Sequence, residues 1–495
     1  MSNKIGNSPS GSFQATKISR ELSKRSIDAE KLAYCYTCGT CTAACPVVRV
    51  FPRHFNPRIF FQKLSLDLEN ILTETGLWLC AMCDRCHKRC PHELKLPEIF
   101  SLLRKLTIEQ GYLPDVPSKL EETLAILREE IPFPVVYGWL CLRPCEEETK
   151  RSKFDNLVLG VLQRSLANYK KKEVTPLPKT HRERIAIIGS GPAGLTVAWE
   201  LLRMGFPVTV FEALSEPGGM LRVGIPEYRL PKYVLDTEIE YIKDLGVEIR
   251  TNTAVGKVLS FNDLLKEEEY KAIFIATGAH KSRKLRVEGE DMEGIFHALD
   301  LLRQVNLRKR PKLGKRVVVI GGGNVAMDGA RTALRLGAEV VQLACLESRE
   351  EMPAHEWEIR EALMEGVDLN VSWGPKEILG DGEKVTGVKF VRCVSVFDEN
   401  GRFNPSFDET VTKVLEGDTV ILAIGQAPDL SFLREKTDVL GGRAIAVDPM
   451  TMETSLPGVF AGGDAVSGPA TVIEAVAAGK IAAASIDRYL RGVSP

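Results

Sequence analysis

Two stretches of this chain follow one plan: "RIAIIGSGPAGLTVAWELLRMGFPVTVFEA" from Arg184 and "KRVVVIGGGNVAMDGARTALRLGAEVVQLACLESREEMPA" from Lys315. In the first, Ile185–Ile188 reads as a buried strand, Leu195–Met204 as a helix and Val208–Phe211 as a second strand running into Glu212. Gly189, Gly191 and Gly194 form G-x-G-x-x-G between the first strand and the helix. Such glycines allow a tight turn and let backbone N–H groups approach a pyrophosphate at the helix N-terminus. Glu212 stands where a carboxylate accepts a hydrogen bond from a ribose 2′-OH. A lone G-x-G-x-x-G is a weak signal; with strand, helix, second strand and acid in register it is a strong one. The second stretch repeats the pattern, with strand Val317–Ile320 followed by Gly321, Gly323, Ala326 and a helix.

The N-terminal part carries a different signal. "CYTCGTCTAACP" (35–46) and "CAMCDRCHKRCP" (80–91) both read C-x2-C-x2-C-x3-C-P. Three thiolates at this spacing wrap one side of an inorganic cube, and in two-cluster domains the fourth ligates the other cube. The expected ligand sets are therefore Cys35, Cys38, Cys41 and Cys90 for one 4Fe–4S cluster, and Cys80, Cys83, Cys86 and Cys45 for the other. Zinc sites and disulfides are the rivals, but zinc prefers paired C-x2-C hooks. His54, His87 and His92 lie nearby and are read as packing or surface residues, because eight thiolates complete two cubes. The chain has 12 cysteines, and "MSNKIGNSPSGSFQ" carries no signal-peptide core, which points to metal or redox chemistry in a reducing, cytoplasmic compartment. A net charge of −1 gives no global case for nucleic acid or an anionic membrane, and no apolar run is long enough to span a bilayer.

With its helical insert "PRIFFQKLSLDLENILTETGLWLC", in which Thr73 is a candidate cap, the cysteine region resembles the small cluster-carrying subunit of heterodisulfide reductase over roughly residues 28–110. The two dinucleotide units, "IFIATGA" ending at Ala279, and "GVFAGGDAV" (458–466) resemble the two-dinucleotide flavoproteins. "EPGGMLRVGIPEYRLPKYVLDTEIEYIKDLGVEI" (216–249) narrows this to the glutamate synthase small subunit and its relatives, covering about residues 130–495. The resemblance implies nested Rossmann-like α/β folds behind an α-helical two-cluster ferredoxin domain. It places FAD on the first fold, with Gly189, Gly191, Pro192, Ala193, Gly194, Glu212, Gly219, Leu221, Arg229, Thr277, Gly278, Gly463, Asp464 and Thr471 as its expected contacts. Asp464 would approach the ribityl chain, the helix of "TVIEAVAAGKIAA" would point its N-terminus at the flavin ring, and Arg229 would lie by the reactive edge in a catalytic role. NAD(P)H falls to the second fold, with Gly321, Gly323, Asn324, Ala326, Glu347, Arg349 and Gly425.

Departures from the relatives sharpen the expectation. No cysteine pair sits in "GGMLRVGIPEYRLP" or "GGGNVAMDGARTA", and Cys345 and Cys393 are isolated, so electrons are expected to leave through the clusters. The relatives' extra C-x3-C-x3-C-x3-C site is reduced here to Tyr137, Cys141, Cys145 and Thr149, a remnant in a helical adaptor, with a mixed-ligand site as the alternative. NADPH-dependent relatives often read "YRRSREEMPA" where this chain has "CLESREEMPA", so Glu347 favours NAD(H) over NADP(H), although Arg349 could rescue a phosphate.

The expected domains are a flexible start at 1–27, the ferredoxin-like domain at 28–112, and a helical adaptor and charged linker at 113–180. FAD-binding parts follow at 181–295 and 427–495 around an NAD(P)-binding domain at 296–426. The expected function is an oxidoreductase subunit passing electrons between NAD(P)H, FAD and two 4Fe–4S clusters to or from an iron–sulfur or flavin partner. That partner would be of the heterodisulfide reductase kind, or a ferredoxin. A glutamate synthase small subunit and the relay module of a flavin-bifurcating assembly are the alternatives.

Overall fold

The computed structural model describes residues 38–45, 47–48, 55–65, 71, 74, 76–80, 85–97, 99–100, 103, 124, 127–140, 174–266, 270–433, 439–441 and 444–493. The chain divides into two compact units, Met1–Val174 and Thr175–Pro495.

In the first unit the described helices are short: α1 (Thr40–Ala44), α2 (Pro57–Ser65), α3 (Gly76–Leu79), α4 (Arg85–Lys88) and α5 (Pro134–Leu140). α1 comes from the first cysteine motif and α4 from the second, and the two pack together, with α2 against α1. An aromatic cluster forms the core beneath them. Phe100 stacks on Phe60 at 4.6 Å between ring centroids and meets Phe61 edge-on at 5.3 Å. Leu77, Leu79 and Ile99 are also fully buried, each contributing roughly 1.5–3 kcal/mol by leaving water. Thr73, Pro46 and His54 lie outside the described residues.

The second unit is two nested α/β folds. The chain runs through β1 (Arg184–Ile188), α6 (Pro192–Arg203), β2 (Val208–Phe211), α7 (Met220–Val223), α8 (Lys232–Asp244), β3 (Glu248–Arg250), α9 (Phe261–Lys266) and β4 (Tyr270–Ile275). It leaves through β5 (Lys281–Ser282) and enters the second fold at β6 (Ile295–His297), followed by α10 (Ala298–Asn306), β7 (Arg316–Ile320), α11 (Asn324–Leu336), β8 (Val340–Ala344), α12 (Glu356–Met364) and β9 (Asp368–Asn370). Three long strands follow, β10 (Trp373–Gly380), β11 (Val385–Phe397) and β12 (Phe403–Glu416), then β13 (Thr419–Leu422) and β14 (Gln426–Ala427). The return to the first fold brings β15 (Leu440–Gly441), β16 (Ala444–Ile445), β17 (Val459–Ala461), α13 (Asp464–Ser467) and α14 (Val472–Leu490).

Among the described residues the first sheet is parallel with order β17-β4-β1-β2-β3, and the second is parallel with order β6-β13-β7-β8-β9. β1 and β7 each have a neighbour on both sides reached by separate crossovers. The turn after each therefore sits at a topological switch, where the crevice beyond the strand ends takes ligands. Exit and return strands β5 and β14 pair antiparallel, so the two folds are joined by one ribbon of two crossings.

Burial explains the sequence pattern. β1 and β7 are apolar on both faces because helices or another sheet cover each side. The antiparallel sheet β10-β11-β12 covers one face of the second sheet through Ile378, Val388, Phe390 and Leu415. Helices α10, α11 and α12 cover the other. In the first fold α14 lies against α6, and Gly479 makes this possible: a Cβ there would come within 2.8 Å of the Ala193 carbonyl oxygen and 2.9 Å of Thr196 Cβ. No helix among the described residues is long and apolar enough to cross a membrane.

Candidate functional site

The first glycine turn is shaped by what cannot fit. Gly189 has φ +105° and donates its N–H to the Phe211 carbonyl at 2.8 Å, and a Cβ on it would sit 2.4 Å from the Ala276 oxygen at the end of β4. A Cβ on Gly194 would lie 2.0 Å from the Gly189 oxygen, so α6 reaches its closest approach to the turn only with glycine. Gly191 differs: a Cβ there would meet nothing within 4 Å. It caps α6 without a side-chain bond, and Pro192 stands at the first helical position. Two more glycines close around that open space. A Cβ on Gly219 would come 2.7 Å from Gly191 Cα, and one on Gly463 3.0 Å from Ala193 Cβ. Backbone from three segments thus forms a cradle at a helix N-terminus that side chains would fill, and this fits a dinucleotide pyrophosphate.

Glu212 is buried beside this turn. Its Oε2 accepts from the Ser190 N–H at 3.0 Å and the Ser190 hydroxyl at 2.5 Å, and its Oε1 accepts from the Leu214 N–H at 2.8 Å. A carboxylate offers about four acceptor positions, which leaves room for one ribose hydroxyl. Ser190 Oγ in turn accepts from the Gly218 N–H at 3.0 Å, tying the turn to the segment that carries Gly219. Sequence reasoning passed over Ser190; its one signal was a hydroxyl residue inside the glycine motif.

Thr277 follows β4, and its hydroxyl is buried without a hydrogen-bond partner, an orphan that a bound ligand would satisfy. Gly278 beside it has φ +66°, and Leu221 is fully buried in α7. Asp464 opens α13 and accepts from the Ala470 N–H at 3.3 Å; burial pushes its carboxyl up to about 6. Thr471 caps α14 in a reciprocal box with Glu474.

The second turn repeats the backbone. Gly321, at φ +141°, would put a Cβ 2.4 Å from the Ala423 oxygen, and Gly323 is open as Gly191 is. Ala326 is fully buried in the place of the third glycine. Asn324 Oδ1 accepts from the His355 N–H at 2.9 Å, and the Gly322 carbonyl accepts from the Ala354 N–H at 3.1 Å, so the 354–355 segment is tied down beside the turn. The residue after β8 is Cys345, in the register that Glu212 holds after β2, and burial pushes its thiol up to about 12. The carboxylate comes from Glu347: its Oε2 lies 2.6 Å from where a Gly322 Cβ would be. Arg349 pairs with Glu356 at 2.8 Å. Gly425, at φ +100°, precedes β14. Cys393 is buried, and its thiol is likewise pushed up by burial.

Arg229, expected by the flavin's reactive edge, turns its guanidinium to two carboxylates of the second fold. Nη1 lies 2.5 Å from Asp328 on α11, and Nη2 lies 2.7 Å from Glu358 on α12.

In the first unit Cys38, Cys41 and Cys90 line one cleft, with Arg58, Phe61, His92, Leu94 and Leu96 among the other walls. Cys38 and Cys41 belong to the first motif and Cys90 to the second, so the cleft draws thiols from both. An apolar floor with three thiols at its rim fits an iron–sulfur cube. Among the described residues no three His, Cys, Asp or Glu side chains gather as a single metal ion would require. The Thr40 hydroxyl, 3.3 Å from Cys38 Sγ, holds that thiol below its usual range. Cys45 and Cys80 are buried and Cys86 is half-buried; the described cleft does not include them. His87 Nδ1 lies 3.0 Å from the Leu94 carbonyl oxygen, while His92 lines the cleft. Cys35, Cys83, Cys141, Cys145 and Thr149 lie outside the described residues, and Tyr137 is buried in α5.

Residues 179–479 match the pyridine nucleotide-disulphide oxidoreductase family, and residues 31–94 match the 4Fe-4S dicluster domain. The chain is 42% identical over 438 residues to the beta subunit of the NADP(+)-dependent formate dehydrogenase of Moorella thermoacetica, covering 82% of this chain and 60% of that one. It is 37% identical over 440 residues to the NADPH-Fe(3+) oxidoreductase subunit beta of Geobacter sulfurreducens, covering 82% and 63%. The chain thus spans under two thirds of the length of both relatives. Against the glutamate synthase [NADPH] small chain of Escherichia coli it is 33% identical, covering 83% of this chain and 90% of that one. Among solved structures, Mycobacterium tuberculosis FprA in complex with NADPH is similar in fold, with a TM-score of 0.55 at 20% identity over 63% of this chain and 85% of that one.

Proposed function

Because the chain belongs to the pyridine nucleotide-disulphide oxidoreductase family and carries a 4Fe-4S dicluster domain, we propose that it passes electrons between a nicotinamide nucleotide, FAD and two 4Fe–4S clusters as a subunit of a larger redox complex. The observation that carries this reading is the meeting of Cys90 with Cys38 and Cys41 in one cleft, in a chain that also holds two open glycine turns. When bound, a flavin exchanges electrons in pairs with a nicotinamide and singly with an iron–sulfur cube.

The protein's share is placement. Gly191 and Gly219 leave room for the FAD pyrophosphate, Glu212 receives its ribose, and the Thr277 hydroxyl and Asp464 stand ready as hydrogen-bonding groups. Gly323 leaves the same room for the nicotinamide nucleotide. Cys35, Cys38, Cys41 and Cys90 would hold one cluster, and Cys80, Cys83, Cys86 and Cys45 the other. Thiolate ligation of this kind suits a reducing compartment such as the cytoplasm.

Glu347 supports NAD(H): a 2′-phosphate ~4 Å from its carboxylate would meet a repulsion of at most about 4 kcal/mol per unit charge at an effective dielectric near 20. The NADP(+) and NADPH in the relatives' names pull the other way. The names "subunit beta" and "small chain" support a redox partner subunit, and the cysteine domain's likeness to heterodisulfide reductase supports a partner of that kind. A second reading, the small subunit of a glutamate synthase, draws on the 90% coverage of the Escherichia coli chain.

The test is anaerobic reduction of the FAD- and cluster-loaded protein by NADH and by NADPH, followed by visible absorbance and EPR. Flavin bleaching with new signals from reduced clusters is the expected result. Bleaching without cluster reduction would remove the proposed exit route, and no bleaching by either nucleotide would remove the reading. Turnover of glutamine and 2-oxoglutarate with a large amidotransferase subunit would favour the second reading.

A further inference from the structure

One segment runs from the first nucleotide turn to the helix that follows the second. It starts at Gly219, pressed against Gly191, and is then gripped from two sides: Asn306 of α10 donates from Nδ2 to the Val223 and Ile225 carbonyls at 2.9 and 3.2 Å, and Lys232 donates from Nζ to the Leu221 and Ile225 carbonyls at 3.1 and 2.6 Å. Tyr228 and Arg229 then enter the second fold between α11 and α12. Arg229 meets Asp328 and Glu358, and the Tyr228 hydroxyl donates to Asp328 Oδ1 at 3.2 Å. The Tyr228 ring lies against the guanidinium groups of Arg331 at 4.5 Å and Arg335 at 4.0 Å. Arg331 pairs with Glu361 and Glu365, and Arg335 with Glu365.

Counting Lys232 near Asp328, the charges in this cluster balance in number but not in partners. Arg229, Arg331 and Arg335 bring three positive charges, and Asp328, Glu358, Glu361 and Glu365 bring four negative ones. Glu358 is the outlier. It is 1% exposed, and neither carboxylate oxygen makes an aligned hydrogen bond, although Arg229 Nη2 stands 2.7 Å away. That approach is a close contact without the alignment of a directed bond. Burial pushes Glu358 up to about 7, assisted by Asp328 and Glu361 and opposed by Arg229 and Arg331. His355, at the start of the same helix, is held below its usual value by burial and Arg229, and Trp357 carries the Arg229 guanidinium 5.4 Å from its ring. Lys232 adds a further positive charge near Asp328.

We propose that Tyr228 and Arg229 form a latch that sets the angle of the second fold on the first, and that the latch closes with a proton on Glu358. Resting on the function proposed above, the latch would fix how a nicotinamide on α11 meets a flavin on the first fold, which makes Arg229 and Glu358 positioning residues. Closed, the pocket holds a neutral carboxylic acid; opening lets Glu358 reach water as a carboxylate and releases one proton. The sign follows from the raised value. The contribution is full at acidic pH, below the ordinary carboxylate range, and is lost as pH rises through about 7.

Amide hydrogen exchange of the full chain tests this across about pH 5 to about pH 8, after correction for intrinsic exchange. In the wild-type protein, protection of the amides of residues 227–230 should fall by up to about tenfold per pH unit from about pH 5 to about pH 7, where opening releases one proton, and level off above, where Glu358 is already ionised. Glu358→Gln, neutral at every pH and nearly isosteric, should keep the acid-side protection throughout. Arg229→Ala should lose protection at both ends of the range, and Arg229→Lys should restore part of it. A wild-type pH inflection that survives in Glu358→Gln, or unchanged protection in Arg229→Ala, would overturn the latch. Flavin reduction measured on the same samples separates the two ideas: altered protection without bleaching by nucleotide keeps the latch and removes the oxidoreductase reading, whereas bleaching with pH-independent protection does the reverse.

Discussion

The two glycine turns share a backbone and differ in their acid. Gly189 and Gly321 each pass under a carbonyl, of Ala276 and of Ala423, at the same 2.4 Å for an added Cβ, and Gly191 and Gly323 are both open. At the first turn the residue directly after the strand is Glu212, whose carboxylate is held by the turn itself through Ser190. At the second that register belongs to Cys345, neutral and buried, and the carboxylate arrives two residues later on Glu347. The backbone thus leaves the same open space at each turn, and the side chains beside that space differ. At these two turns the crowded glycine is required by the packing of the main chain, and the open one leaves space beside the helix start.

The largest expected effect separates the third positions. Gly194→Ala forces a Cβ against the Gly189 oxygen, whereas the second turn already carries Ala326. Overpacking against backbone should destabilise the apoprotein by about 3 kcal/mol and abolish FAD retention. A thermal midpoint unchanged by Gly194→Ala would break the idea that crowding distinguishes the first turn. The next effect falls on binding alone. Gly191→Ala and Gly323→Ala should leave the apoprotein's unfolding midpoint in place while each weakens its own dinucleotide about a hundredfold, ~2.7 kcal/mol, because the new methyl stands where phosphate must lie. Calorimetric titration with FAD and with NADH reads the two sites independently; loss of stability in either variant would show that the open space is already in use.

The smallest effect concerns the acids. Glu347→Ser should raise the ratio of kcat/KM for NADPH over NADH about tenfold, ~1.4 kcal/mol, by removing the charge beside Gly322. Cys345→Ala, in the register of Glu212, should leave that ratio alone. An unchanged ratio in the Glu347 variant would mean its carboxylate turns away from the ribose in the bound state, and the contrast between the two turns would then lie in the backbone only.

Much of this was legible in the sequence because it is encoded locally. Unbroken apolar runs announced β1 and β7, a β-branched run with one threonine announced β2, and glycine spacing announced the turns that follow β1 and β7. The C-x2-C-x2-C-x3-C-P spacing carried the expectation that Cys90 joins Cys35, Cys38 and Cys41, and in the structure Cys90 lines one cleft with Cys38 and Cys41. Ser190 was missed because its importance comes from Glu212, 22 residues away, and nothing in the motif demands a hydroxyl there. Arg229 was assigned to the flavin by family likeness, while its carboxylate partner Asp328 stands 99 residues further along the chain.

By itself, then, the sequence determined the kinds of element and the ligand-type residues. Strand burial, helix periodicity and motif spacing depend on neighbours a few positions apart, and elementary sterics turn them into geometry. The tertiary structure decided which groups meet: Gly219 against Gly191, Glu347 against Gly322, and Arg229 between Asp328 and Glu358. These are encounters between segments tens of residues apart, or between separate turns of backbone. Their free energies rest on desolvation and charge in a shared interior, and that interior exists only once the sheets and helices have packed.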